Sequence, residues 1–163
     1  EGACMRITTK SKYGMRMIVE IAAQPEGKAA SLKSIARKIN ASEKYLEQIV
    51  IPLTKAGYLK SLRGANGGYV MGRSAEELTA HMVIAALEGE ASQRACVGEI
   101  GGCPRADTCS VIGLWQKINQ AIASVTDTVT IADLVRERRE KYAALGLEDS
   151  LDRVRDEKPA CNE

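Results

Sequence analysis

Apolar residues recur at helical spacing in three early stretches of the chain. Met15, Ile18, Val19 and Ala22 follow the i, i+3, i+4, i+7 rule that gathers side chains on one face of a helix. That stretch ends near Pro25 and Gly27. Leu32, Ile35, Ala36 and Ile39 repeat the stripe behind Ser31, a residue suited to cap a helix N-terminus. Leu46, Ile49, Val50 and Leu53 repeat it again behind Ser42, a second candidate cap. Only Asn40 and Ala41 separate the second helix from that cap, so the two helices must turn sharply, as in a helix-turn-helix. Pro52 falls inside the third stripe and is expected to kink or loosen its last turn. Gly57 is placed to end that helix.

The pattern then changes. Residues 58–63 read as a strand, Gly64, Ala65, Asn66, Gly67 and Gly68 as a turn, and Tyr69, Val70 and Met71 as a returning strand. Three helices followed by such a hairpin is the order of a winged helix. Further on, residues 78–87 read as a short apolar helix and residues 96–109 as a loop. Val111, Leu114, Trp115, Ile118, Ile122 and Val125 mark a longer helix with a wide apolar stripe. Thr130 is a candidate cap for a last helix from Ile131, and the charged tail from about Glu148 is expected to fray. The fold class that follows is mainly α with a small β-hairpin wing: a winged helix-turn-helix plus a long dimerisation helix. The expected organisation is a DNA-binding domain over 5–74, a cysteine loop and helical dimerisation region over 75–145, and a flexible charged tail over 146–163.

Composition narrows this picture. At 163 residues and 45% hydrophobic, the chain can build a core. Aromatics are only 4% and Phe is absent, so that core must be made of Ile, Leu, Val, Met and Ala. No apolar run approaches the roughly 18 residues a membrane span needs, and the start lacks a secretory h-region. The expectation is a cytoplasmic protein with no membrane partner. The net charge of +2 conceals an asymmetry: residues 1–74 hold 13 Lys/Arg against 5 Asp/Glu, or +8, and residues 75–163 hold 10 against 16, or −6. A basic half on an acidic body points to nucleic acid. With one histidine, no nucleophile–His–acid set and no phosphate-binding glycine motif leading into a helix, the chain does not read as an enzyme.

With its apolar stripe buried, the third helix exposes Ser42, Glu43, Lys44, Glu47 and Gln48 near its start, the part that a recognition helix presents to base edges. Gln48 can pair bidentately with adenine, Glu47 can accept from the cytosine amino group, and Lys44 can reach guanine or a phosphate. Arg63 stands at the wing tip beside glycines and is suited to a narrow minor groove. Arg6, Lys10, Lys12, Lys33 and Lys60 are expected phosphate contacts, and Tyr45 either touches a phosphate or packs.

Five cysteines are present: Cys4, Cys96, Cys103, Cys109 and Cys161. Cys96, Cys103 and Cys109 share one loop with the spacing C-x6-C-x5-C, among Gly98, Gly101, Gly102 and Pro104. In a cytosolic protein such a cluster suits metal or redox chemistry, and three thiolates suit an iron–sulfur cluster or zinc. The spacing does not match the usual zinc pairs, and three unliganded thiols are the alternative. Candidates for a fourth ligand are His81, Cys4, Cys161 or a group from a partner subunit.

Three segments resemble one bacterial family of winged-helix regulators. They are Met5-Arg6-Ile7-Thr8-Thr9-Lys10, Tyr45-Leu46-Glu47-Gln48, and Arg63-Gly64-Ala65-Asn66-Gly67-Gly68-Tyr69. The family contains the iron–sulfur cluster regulator IscR, the nitric-oxide sensor NsrR and the cysteine-metabolism repressor CymR. The resemblance covers roughly residues 5–137. It implies a homodimer paired through a helix at residues 110–124, bound as a repressor to a near-palindromic operator on double-stranded DNA. Lys44, Glu47 and Gln48 would read bases and Arg63 would enter the minor groove. It also implies that Cys96, Cys103 and Cys109 hold a 2Fe–2S or 4Fe–4S cluster. Two departures leave the fourth ligand open: Ile112 stands where the cluster regulator has a histidine, and Lys12 where the nitric-oxide sensor has an aspartate. The DNA-binding half is most similar to the cysteine-metabolism branch, whose members lack the cluster and act through a partner enzyme of cysteine synthesis.

Overall fold

The structure, a computed structural model, describes residues 8–64, 67–88 and 106–147. Helix α1 (Thr9–Ala22) starts at Thr8, whose backbone is extended and whose hydroxyl accepts the Ser11 N–H. Helix α2 (Leu32–Ile39) starts at Ser31 and helix α3 (Glu43–Lys55) at Ser42, both through the hydroxyl-to-backbone bonds the sequence led us to expect. Between them Asn40 adopts a left-handed conformation (φ 54°, ψ 53°), and the Ala41 N–H returns to the Ala36 carbonyl at 2.9 Å. This is the tight turn of the helix-turn-helix. Pro52 sits inside α3, yet the helix continues to Lys55 and closes on Gly57 at φ +77°. Ala56 donates to the Pro52 carbonyl, so the last turn keeps its bonds around the missing N–H.

Strand β1 (Leu59–Leu62) pairs antiparallel with β2 (Gly68–Met71), Leu59 opposite Met71 and Leu62 opposite Gly68. A second pairing ties this wing to the helices: Ala30 and Tyr69 exchange both backbone bonds at 2.9 Å. Gly68 lies so close to the Ala30 carbonyl that an added Cβ would stand 2.5 Å from its oxygen. The wing is therefore held against the entry to α2.

Helices α4 (Ala80–Glu88), α5 (Ile112–Thr126) and α6 (Ile131–Ala144) follow, with a short 3-10 turn at Ala106–Thr108 before α5. Thr130 and Asp133 form a reciprocal capping box at the start of α6. The core runs across residue 74. Met17, Ile18 and Ile21 of α1 meet Ile35, Leu46, Ile49, Leu53, Leu59, Leu78, Val83, Leu87, Ile131 and Val135. It is built almost wholly from branched aliphatics, as a chain without Phe requires. On α1 the burial is turned toward Ser11, Gly14, Met17 and Ile21, while Met15, Val19 and Ala22 of the expected stripe are half-buried. Gly14 explains the turn. A Cβ there would run into the Leu87 Cδ1 methyl and come within 3.3 Å of Ile49 Cγ2, so α1 packs against α4 and α3 at a spacing that any larger residue could share only if Leu87 moved. Among the described residues no helix is long and apolar enough to cross a membrane.

One charged group lies inside this packing. Glu20 of α1 is 7% exposed, and its Oε2 meets Lys38 Nζ at 3.2 Å and Arg138 Nη2 at 2.9 Å. Tyr142 of α6 lies against both cations, 4.8 Å from the Arg138 guanidinium carbon and 5.3 Å from Lys38 Nζ. One carboxylate thereby joins α1, the end of α2 and α6.

Candidate DNA interface and cysteine segment

Burial of Leu46, Ile49, Val50 and Leu53 leaves Lys44, Glu47 and Gln48 exposed over the first turns of α3. They are neighbours on the helix surface, because residues three and four apart share a face. Tyr45 is half-buried, and its ring stands edge-on to Tyr13 of α1 at 5.6 Å and 87°. Arg16 lies 5.5 Å over the other tyrosine, Tyr13. The first turn of α3 is thus braced from behind while its polar side chains face solvent.

Arg63 is exposed directly after β1, beside Gly64 at φ +121°, and the Gly67 N–H closes that turn on the Gly64 carbonyl at 3.0 Å. The expected tip residues Ala65 and Asn66 lie outside the described residues. Lys60 is exposed on β1 and Lys33 in the first turn of α2. The Ala30–Tyr69 pairing joins the wing that carries Lys60 and Arg63 to the entry of the helix that carries Lys33. Lys12 is exposed, but Lys10 turns inward and donates to the Leu87 carbonyl at 2.7 Å. Lys10 thus bonds the last turn of α4 in the free chain. Arg6 lies outside the described residues.

The end of α4 is fastened to the start of α1. Glu88 Oε1 accepts from the Thr8 hydroxyl at 2.6 Å and from the Ser11 hydroxyl. Sequence reasoning missed this link, which joins residues 77 and 80 positions apart. It lies one turn from Tyr13, and so from the brace behind α3.

Of the three loop cysteines, Cys96 and Cys103 lie outside the described residues. Cys109 is a half-buried free thiol just before α5. As donors, three thiolates fit an iron–sulfur cluster. Within one protomer His81 stands far from Cys109. Its Nδ1 lies 3.3 Å from Asp127 Oδ1, and Asp127 caps the far end of α5. Fifteen helical residues separate that end from Cys109, about 22 Å at 1.5 Å per residue. Ile112, three residues after Cys109, offers no donor.

Helix α5 leaves its apolar stripe in solvent: Val111, Leu114, Trp115, Ile118 and Val125 are 38–61% exposed. Its boundaries sit two residues later than the expected 110–124. On its inner side Asn119 is buried, and its Nδ2 finds no acceptor among the described residues.

The family description "Iron-dependent Transcriptional regulator" matches residues 7–137, which includes the reading-helix candidates, the wing and all three loop cysteines. The chain belongs to the Rrf2 family. It is an Rrf2-family DNA-binding transcription regulator, as the resemblance implied. The Bacillus subtilis regulator CymR is 41% identical over 130 residues, 80% of this chain and 89% of that one. The solved structure of CymR, the global cysteine regulator of B. subtilis, superposes with a TM-score of 0.66 at 38% identity, covering 82% of this chain and 98% of its own. The T. potens IscR structure superposes with a TM-score of 0.69 at 32% identity, covering 84% and 90%. Helices plus a two-stranded hairpin in winged-helix order are thus shared between this Rrf2 regulator and both relatives.

Proposed function

We propose that this Rrf2 regulator is a repressor that binds a near-palindromic operator as a homodimer and senses iron–sulfur, redox or nitric-oxide status through a cysteine-ligated cluster. Lys44, Glu47 and Gln48 of α3 read base edges in the major groove, and Arg63 enters the adjacent minor groove. Lys33, Lys60 and Arg6 hold phosphates, with Tyr45 contributing from the edge of the reading helix. The exposed stripe of α5 pairs the protomers, so that two reading helices meet two half-sites. The observation that carries the DNA assignment is the polar face of α3, solvent-exposed at its N-terminal turns and braced from behind by Tyr13.

Cys96, Cys103 and Cys109 hold the cluster, whose loss, oxidation or nitrosylation changes the charge and shape of the segment between α4 and α5. The Glu88 bonds to Thr8 and Ser11 lead from that segment to α1, and Tyr13 leads from α1 to α3. The change acts only through its different interaction with the two DNA-binding states.

A second reading is favoured by the 41% identity to CymR: a cluster-free regulator of cysteine or sulfur metabolism, controlled by a partner enzyme or by thiol oxidation. Anaerobic purification with a visible spectrum and iron and sulfide analysis separates the two. A brown protein that turns colourless in Cys103→Ala supports the cluster reading. A wild-type protein that stays colourless after reconstitution supports the second and leaves the DNA assignment standing. For that assignment, Gln48→Ala should relax base preference at one position of each half-site, and an unchanged preference would refute it.

A further inference from the structure

The exposed face of α3 carries one side chain that hydrogen-bond chemistry does not account for. Leu46, Ile49, Val50 and Leu53 are buried, but Ile51 is 65% exposed. It follows Gln48 by three positions and Glu47 by four, so it adjoins both on the same face. At 1.5 Å per residue it stands about 4.5–6 Å further along the helix axis, one to two base-pair steps of about 3.4 Å. Ile51 is thus a large aliphatic side chain on an otherwise polar face, beside the two residues that would read base edges. A β-branched side chain in a helix also keeps one strongly preferred χ1 rotamer, so its methyl groups are held in place before any ligand arrives.

Facing it in the major groove, the distinctive apolar feature is the C5-methyl group of thymine. We propose that Ile51 is a specificity-determining contact to a thymine 5-methyl group, one or two base pairs beyond the pair read by Gln48 in each half-site. This rests on the assignment of α3 as the reading helix and extends it from polar to apolar recognition.

The test starts from a random duplex pool selected on the wild-type protein. The enriched duplex is then synthesised with deoxyuridine replacing each thymine in turn, which removes one methyl group and leaves base pairing intact. At one thymine the wild type should lose about fourfold in affinity per half-site, the worth of one buried methyl group. Ile51→Ala should bind thymine and deoxyuridine duplexes equally at that position. Because Ile51 is exposed and Ala favours helix, the variant should melt like the wild type. A deoxyuridine scan with no sensitive position, or one equally sensitive in Ile51→Ala, would overturn the inference. Gln48→Ala on the same duplexes separates the two claims. If it relaxes preference while the deoxyuridine scan is flat, only the Ile51 contact fails. If it has no effect, or if the pool yields no preferred duplex, the reading helix itself is wrong.

Discussion

Replacing Glu20 by Gln removes one negative charge and almost no volume, yet its effect should be large. The side chains of Glu20, Lys38 and Arg138 are each 8–9% exposed, so Gln takes one carboxylate away from two largely buried cations. Removing one member of a buried ion pair typically costs about 3–5 kcal/mol. For a chain of this size each kcal/mol shifts Tm by about 2–4 °C, so the melt should fall by about 6–20 °C. The Arg73–Glu77 pair offers a contrast: at 47% and 65% exposure it should be worth about 0–1 kcal/mol. Urea and thermal unfolding at fixed protomer concentration measure both. A Glu20→Gln variant within about 1 kcal/mol of wild type would refute the reasoning, showing that water reaches the site.

Ile118→Glu places a charge on the exposed stripe of α5 and should convert the dimer to a monomer in sedimentation velocity, with the helical signal retained; a dimer of wild-type affinity would remove α5 from the interface. Lys60→Ala should lower affinity evenly across sequences and reduce the logarithmic salt slope by about 0.9 per subunit, read by fluorescence anisotropy titrations from low to moderate salt. Asp133 is held below the ordinary carboxyl value of 3.8, first by the Thr130 backbone N–H and then by its hydroxyl. A carboxyl depressed in the fold contributes fully above its ordinary value and loses that contribution as pH falls through the lower folded one. The stability gap between wild type and Asp133→Asn should therefore be steady near neutrality and close below about pH 3.8; a gap that widens in acid would contradict the capping-box assignment.

Local signals in the sequence were enough for the helices, their caps and the wing. Ser31, Ser42 and Thr130 cap where their spacing put them, and Asn40 turns where only two residues separate the helices. Those features depend on neighbours within four positions. What the sequence hid depends on distance. The Glu20–Arg138 pair spans 118 positions and the Ser11–Glu88 bond 77. A glutamate inside the apolar run Met17-Ile18-Val19-Glu20-Ile21 was the available hint of a buried charge. The exposed α3 residues were legible because burial of one stripe dictates the other. Ile51 was passed over because attention to hydrogen-bonding groups excludes an aliphatic one. The bond from Lys10 is equally hidden, because its partner is a carbonyl of a helix 77 positions away.

The missing methyl group at Gly14 has an evolutionary consequence. Every substitution there adds a Cβ, and that atom meets Leu87 before anything else. A larger residue at position 14 therefore requires Leu87 to move or shrink, and a smaller residue at 87 leaves a void until position 14 grows. The two sites should change together or not at all across relatives. Since Leu87 is the residue before Glu88, that coupled pair sits at the entrance to the cysteine segment, next to the bonds that fasten it to α1.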